Sequence, residues 1–123
     1  MTAALLLTSL AIGVLSGVVA ALCGVGGGVV MVPAFVTLLG LPQKTAVATS
    51  LAIIIPTALM ATTQNARHGL VDWRVMAVTA VSASIFAYFG AGWMRALGNE
   101  TLTRIFGAVL LIFGLRMLWL GKA

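Results

Sequence analysis

The sequence predicts an all-α membrane protein with about four transmembrane helices, plus a short broken or re-entrant half-helix after a glycine-rich motif. Three observations predict it. Of 123 residues, 62% are hydrophobic and 7% charged, and the mean hydropathy is +1.19, more apolar than a soluble domain of this length can hide. The polar residues fall as punctuation between apolar runs, several of them near the roughly 20 residues that cross a hydrocarbon core of about 30 Å. The cluster Gly24-Val25-Gly26-Gly27-Gly28 then interrupts the pattern at a depth where lipid demands an unbroken helix. Residues 1–123 read as a single transmembrane domain without a soluble module or linker.

The first run, Ala3 to Cys23, is long enough to span. It is read as a retained span and not a secretory signal: no Lys or Arg precedes it, and Leu22 before Cys23 does not suit lipoprotein cleavage. Val29 to Leu41 is only 13 residues, roughly 20 Å as a helix, short of a crossing. It either re-enters or completes a broken span, and Gly40-Leu41-Pro42-Gln43-Lys44 closes it as a helix end and turn at the interface.

Thr45 to Thr63 forms the next span, with Pro56 inside it predicting a kink or local opening, and Gln64 to Gly69 makes a polar exit. Asp72-Trp73-Arg74 starts another helix, with the carboxylate at the positive helix end and the indole at headgroup depth. That span runs to about Met94, and Gly90 and Gly92 allow close helix contact. The last helix starts at Asn99-Glu100-Thr101 and runs to Leu120, anchored by Trp119 and Lys122.

Seven Lys and Arg against two Asp and Glu give a formal charge of +5. The bases stand singly among apolar runs, so they read as interfacial anchors facing headgroups, and nucleic acid is excluded as a partner. Arg104 and Arg116 lie within snorkelling reach of opposite interfaces. One cysteine, Cys23, leaves neither an intrachain disulfide nor a thiolate metal cluster, and His68 beside Arg67 reads as a loop or interface histidine. No metal or other cofactor is expected. No paired intramembrane carboxylates and no nucleophile with a base in reach point to an enzyme.

The informative stretch is Gly24 to Pro33. Each glycine weakens a helix by about 1 kcal/mol, and the backbone groups it frees must be buried in protein or line a cavity. A helix restarting near Val29 to Met31 would aim unpaired N–H groups and a positive dipole end inward, which suits a small anion. The competing reading is that these glycines only let helices pack closely. The motif is no nucleotide loop, because no Gly-Lys-Ser/Thr follows. The candidate substrate-binding residues are Gly24, Gly26, Gly27, Gly28, Val29 and Pro33, with Thr49 and Ser50 supplying hydroxyls unless these bond their own helix's carbonyls. Gln64 and Asn65 read as the polar end of a helix in preference to pore-lining donors.

The sequence resembles the sulfite exporter TauE/SafE family of bacterial membrane transporters. The resemblance rests on Gly17, the glycine cluster with Val32-Pro33, Gly40-Leu41-Pro42 and Ala46-Val47-Ala48-Thr49-Ser50. Gly69-Leu70-Val71-Asp72-Trp73, the Gly90 region and Arg104-Ile105-Phe106-Gly107 extend it over nearly the whole chain. It implies transport of small anions such as sulfite, sulfonates and related sulfur compounds, no enzymatic activity, and a bacterial inner-membrane location. Usual members carry two related halves, each with such a motif, and this chain looks like one of them. A homodimer is therefore expected to supply the second repeat, parallel or antiparallel. Lys and Arg are spread over nearly every connection, so positive-inside bias is weak; with four crossings Arg67, Arg74 and Lys122 fall on different sides. Facilitated diffusion and coupling to an ion fit equally well. The alternative to a homodimeric transporter is a non-transporting assembly subunit or half of a heteromeric carrier.

Overall fold

The computed structural model describes residues 2–121; Lys122, expected to anchor the last helix, lies outside the described residues. Five helices follow one another: α1 (Ala3–Cys23), α2 (Gly28–Leu38), α3 (Gln43–Arg67), α4 (Trp73–Ala96) and α5 (Asn99–Trp119). Four of them are long and apolar enough to cross a membrane, and α2 is the short one. At 11 residues it spans about 16 Å, half a bilayer core.

Each helix has a local reason to begin where it does. Thr2 caps α1, its hydroxyl accepting from the Leu5 N–H at 3.2 Å. Asp72 caps α4 more firmly, one carboxylate oxygen accepting from the N–H groups of Arg74 and Val75 at 3.1 Å each. This bears out its expected place at the positive end of that helix. Asp72→Ala should lower the stability of α4 by about 1 kcal/mol, while Asp72→Asn, which keeps an accepting oxygen, should cost much less. Hydrogen exchange over the first turn of α4 would separate the two; equal exchange in both variants would deny the cap this role.

The boundaries of α3 differ from the expected ones. The helix begins at Gln43 and continues through Gln64 to Arg67, so the expected polar exit is its last turn, and it passes Pro56 without interruption. Gln, Asn and Arg extend a helix readily when their side chains reach the interface, so polarity marked the membrane boundary and not the helix end. His68 follows as an exposed cap residue, its ring Nδ1 2.9 Å from the Gln64 carbonyl oxygen.

The core is a three-helix affair centred on α2. Ile12 of α1, Met31, Val32 and Phe35 of α2 and Ala46 of α3 are buried together, with Ile53, Ile54 and Phe106 packed partly against them. α2 runs antiparallel to α1: its start at Gly27 lies against Ser16, and Val30, Ala34 and Leu38 line a cleft with Leu7, Ala11 and Leu15. It returns the chain to the side where α1 began: Leu5 shares a cleft with Leu39 and Leu41. The short segment after the glycine cluster is therefore a returning half-helix, which settles the choice left open by its length.

From that side α3 crosses, α4 comes back and α5 crosses again. Lys44 fixes the arrangement at one end: its N–H donates to Asn99 Oδ1 at 3.1 Å, and its ammonium donates to the Arg95 carbonyl at 3.0 Å. The start of α3, the end of α4 and the start of α5 thus meet at what we call the Lys44 end. The opposite, Arg67 end gathers the close of α1 and α3, the start of α4 and the close of α5. Two crossings, α4 and α5, lie between Arg67 and the close of α5, so Arg67, Arg74 and Arg116 share one end, which corrects the expectation that Arg67 and Arg74 fall on different sides. Neither α4 nor α5 has a buried residue, and Gly90 has open space where a Cβ would stand, so the close contact expected of it is not made within the described chain.

Candidate functional site: a helix break between two clefts

Three glycines in the left-handed region make the break. α1 ends on Gly24 (φ 72°), whose N–H reaches back to the Ala20 carbonyl, and the chain then turns through Gly26 (φ 72°) and Gly27 (φ 80°). Such φ values cost an L-residue about 1–2 kcal/mol, which is why glycine stands there. Gly27 is also a close approach: a Cβ on it would lie 2.8 Å from the Ser16 backbone oxygen. That contact sets the depth of the break, because Ser16 lies seven residues before the end of α1 at Cys23, about 10 Å below it along the axis.

At Gly27 the second helix starts with no side-chain cap. The Gly27 carbonyl accepts from Val30 and Met31 at 3.0 and 2.9 Å. The N–H groups ahead of them, on Gly28 and Val29, belong to the first turn, which has no partner inside its own helix. Val29 is exposed, so the positive end of α2 is reachable from outside the packed core.

A cleft of about 420 Å³ opens on this break toward the Arg67 end. Ala20, Gly24 and Gly26 line one wall, and Ile54, Thr57 and Asn65 of α3 the other. A second cleft, also about 420 Å³, extends from Met31 toward the Lys44 end between Ile12, Phe35, Leu39, Thr49 and Ile53. Met31 and the neighbouring pair Ile53 and Ile54 stand between the two.

The expected site residues are divided among these places. Gly24 and Gly26 line the first cleft; Gly27 is pressed on Ser16 and Gly28 faces Ile54. Thr49 lies in the second cleft, and Pro33 is on an exposed face of α2. Ser50 is buried at 3% exposure with its hydroxyl donating to the Val47 carbonyl at 2.8 Å, the own-helix bond weighed against a solute contact. Thr57 spends its proton in the same way on Ile53. Asn65, read as the end of a helix, is in the last turn of α3 and lines the first cleft as well. The signal for it was available: Ile54, Thr57, Ala58, Ala61 and Asn65 recur at helical spacing on one face.

Comparison with known proteins bears on what such a break serves. The family model described as "Sulfite exporter TauE/SafE" matches residues 9–123. The chain belongs to the TauE/SafE family. Among its TauE/SafE-like relatives, a "Probable membrane transporter protein YunE" of Bacillus subtilis is 31% identical over 112 residues, covering 91% of this chain and 41% of that protein. A "Probable membrane transporter protein" of Xylella fastidiosa is 28% identical over 115 residues, covering 89% of this chain and 42% of its own. One of the same name from Haemophilus influenzae is 28% identical over 119 residues, covering 91% and 45%. The chain thus spans well under half the length of these curated relatives. No solved structure matches it. Membership in this family and four apolar spans make it an integral membrane protein.

Proposed function

We propose that the chain is a transport module for small anions, with sulfite, sulfonates and related sulfur oxyanions as the solute class, acting as a homodimer in the bacterial inner membrane. The observation that carries this is the glycine break just ahead of the uncapped start of α2, at mid-depth, whose Gly24 and Gly26 line a cleft with Asn65. Unpaired N–H groups and a helix dipole favour a negatively charged oxygen there, and hydrocarbon around them strengthens the attraction. The printed description of the family supplies the sulfur chemistry.

The site is formed by the backbone of Gly24, Gly26, Gly27, Gly28 and Val29. Pro33 stiffens the first turns of α2, Ser50 sits in the packed wall, and Thr49 offers a hydroxyl on the opposite approach. Asn65 joins this set as the side-chain donor on the Arg67 side. Two clefts reaching opposite ends, with Met31, Ile53 and Ile54 between them, fit alternating exposure: movement of the half-helix α2 against α3 would close one and open the other. The role is carriage, without bond chemistry. A second repeat, supplied by another copy of the chain, completes the enclosure.

Purified chain in liposomes tests the reading. Sulfite or a small alkylsulfonate should move down its gradient, and a cation of similar size should not. Asn65→Leu should lower the rate about tenfold or more, the effect of losing one hydrogen bond to a charged oxygen, about 1.5–3 kcal/mol. Thr49→Val should slow entry from the other side, with both variants retaining native helicity. Absence of flux for every anion tried would sink the transport reading in favour of a non-transporting assembly subunit. Unchanged flux in both variants would remove the two clefts from the path.

A further inference from the structure

A hydroxyl on a helix in an apolar medium normally gives its proton to a carbonyl of its own helix, three or four residues back. Thr8, Thr37, Thr57 and Thr63 do so over four residues at 2.8–2.9 Å, and Ser16 and Ser50 over three at 3.3 and 2.8 Å. Beyond the first turns of α1, α2 and α3, the hydroxyls that make no hydrogen bond with any described residue are those of Ser9, Thr49 and Thr62. Each of these lines a cleft. Thr62 stands with Asn65 in the one at the Arg67 end, and Ser9 and Thr49 stand in the one at the Lys44 end.

The second cleft is where this matters most. Ser9 comes from α1 and Thr49 from α3, and among the described residues lining the cleft they carry its only hydroxyls, with no amide, Lys or Arg side chain beside them. The rest of the wall is apolar, Ile12, Phe35, Leu39 and Ile53 among it. A hydroxyl held away from water without a partner costs free energy that a helix carbonyl would have removed. Two of them left free in one apolar cleft are two donors available to whatever enters.

An anion entering such a cleft gives up its water. That cost grows with the square of the charge, and no cation in the lining offsets it. Doubly charged oxyanions are therefore disfavoured. A singly charged sulfonate pays less, offers oxygens to both hydroxyls, and with an alkyl chain gains by covering the apolar wall. At about 420 Å³ the cleft is of a size that holds a small organic ligand.

We propose that Ser9 and Thr49 form a station for short-chain alkanesulfonate monoanions in this cleft, their hydroxyls donating to the sulfonate oxygens while the apolar wall takes the chain. This station, and not the glycine break, selects alkyl-bearing monoanions over doubly charged oxyanions. The proposal rests on the transport reading above for the sign of the solute. Its walls all come from α1, α2 and α3 of this chain, whatever second repeat stands beside them.

Gly13 supplies a reporter, because it lines the same cleft and a Cβ on it would meet nothing within 4 Å. In a Cys23→Ala background, Gly13→Cys is labelled with N-ethylmaleimide on the full chain in mixed micelles. Butane-1-sulfonate should slow the labelling, and the half-protecting concentration should fall about fourfold per methylene from methanesulfonate upward. Sulfate at the same ionic strength should not protect. Ser9→Ala and Thr49→Val should each raise the half-protecting concentration of butane-1-sulfonate about tenfold. Ser9→Thr and Thr49→Ser, which keep the hydroxyl, should change it little. Neither hydroxyl bonds within the fold, so all four variants should retain native helicity. Equal protection by sulfate, protection indifferent to both Ser9→Ala and Thr49→Val, or a reporter that the sulfonate does not shield or the maleimide does not reach, each overturns the station. Labelling does not depend on flux. Protection without transport would keep the station and remove the transport reading, and transport without protection would do the reverse.

Discussion

Gly27→Ala should be the most damaging single-methyl change in the molecule. Its φ of 80° costs an L-residue about 1–2 kcal/mol, and the new methyl would stand 2.8 Å from the Ser16 backbone oxygen, a contact that only movement of α1 can relieve. Overpacking of this kind adds about 1–3 kcal/mol, which together is a large part of a marginal stability. The neighbouring glycines provide the controls. At Gly26 the methyl would meet only the Ile54 side chain, at 3.1–3.2 Å, and at Gly24 nothing within 4 Å. The expected order of loss is Gly27→Ala, then Gly26→Ala, then Gly24→Ala. Ile54→Ala should rescue part of Gly26→Ala and none of Gly27→Ala. Reversible unfolding in mixed micelles would measure all five. Equal losses at the three glycines would mean that strain alone, and not the α1–α2 approach, explains them.

The same glycines show what was legible in advance. Composition and spacing located the four spans, and the cluster at Gly24–Gly28 marked the break, because apolarity and helix weakness are properties of residues taken nearly one at a time. The acid at Asp72 announced its helix for the same reason. The direction of α2 was not legible. It depends on two consecutive left-handed residues and on Gly27 meeting Ser16, eleven positions earlier, and a 13-residue apolar run is equally compatible with crossing and returning.

That one unreadable turn decides only on which side α3 starts relative to α1; the grouping of Arg67, Arg74 and Arg116 at one end comes from α3, α4 and α5 themselves. The candidate site was legible in its backbone and less so in its side chains. Hydroxyls were the natural donors to nominate, yet Ser50 gives its proton to the Val47 carbonyl inside its own helix. Asn65 was discounted because a polar residue before an Arg reads as a boundary, although its spacing from Ile54 and Thr57 placed it on the face that the glycines meet.

Met31→Ala is expected to loosen the half-helix from its place between the two clefts. Met31 is the largest fully buried side chain, at 2% exposure, and it contacts the core formed by Ile12, Phe35 and Ala46 while its terminal methyl reaches toward Gly27. In a water-soluble core such a truncation costs about 2–5 kcal/mol, part transfer and part cavity. In a membrane the transfer part fades, because lipid tails are as apolar as the core, and packing contacts carry helix association. The loss should therefore be about 1–3 kcal/mol, the cavity share of the soluble figure. Leu at position 31 restores volume and should recover most of it. The functional consequence differs in kind from that of Asn65→Leu. With the divider thinned, both clefts gain a route to each other, so leak of small neutral solutes should rise in Met31→Ala liposomes while anion selectivity falls. A variant that unfolds shows neither, and Met31→Leu distinguishes the cases by keeping fold and seal together. Tight, selective flux in a folded Met31→Ala protein would show that the barrier lies elsewhere than at the meeting of α2 and α3.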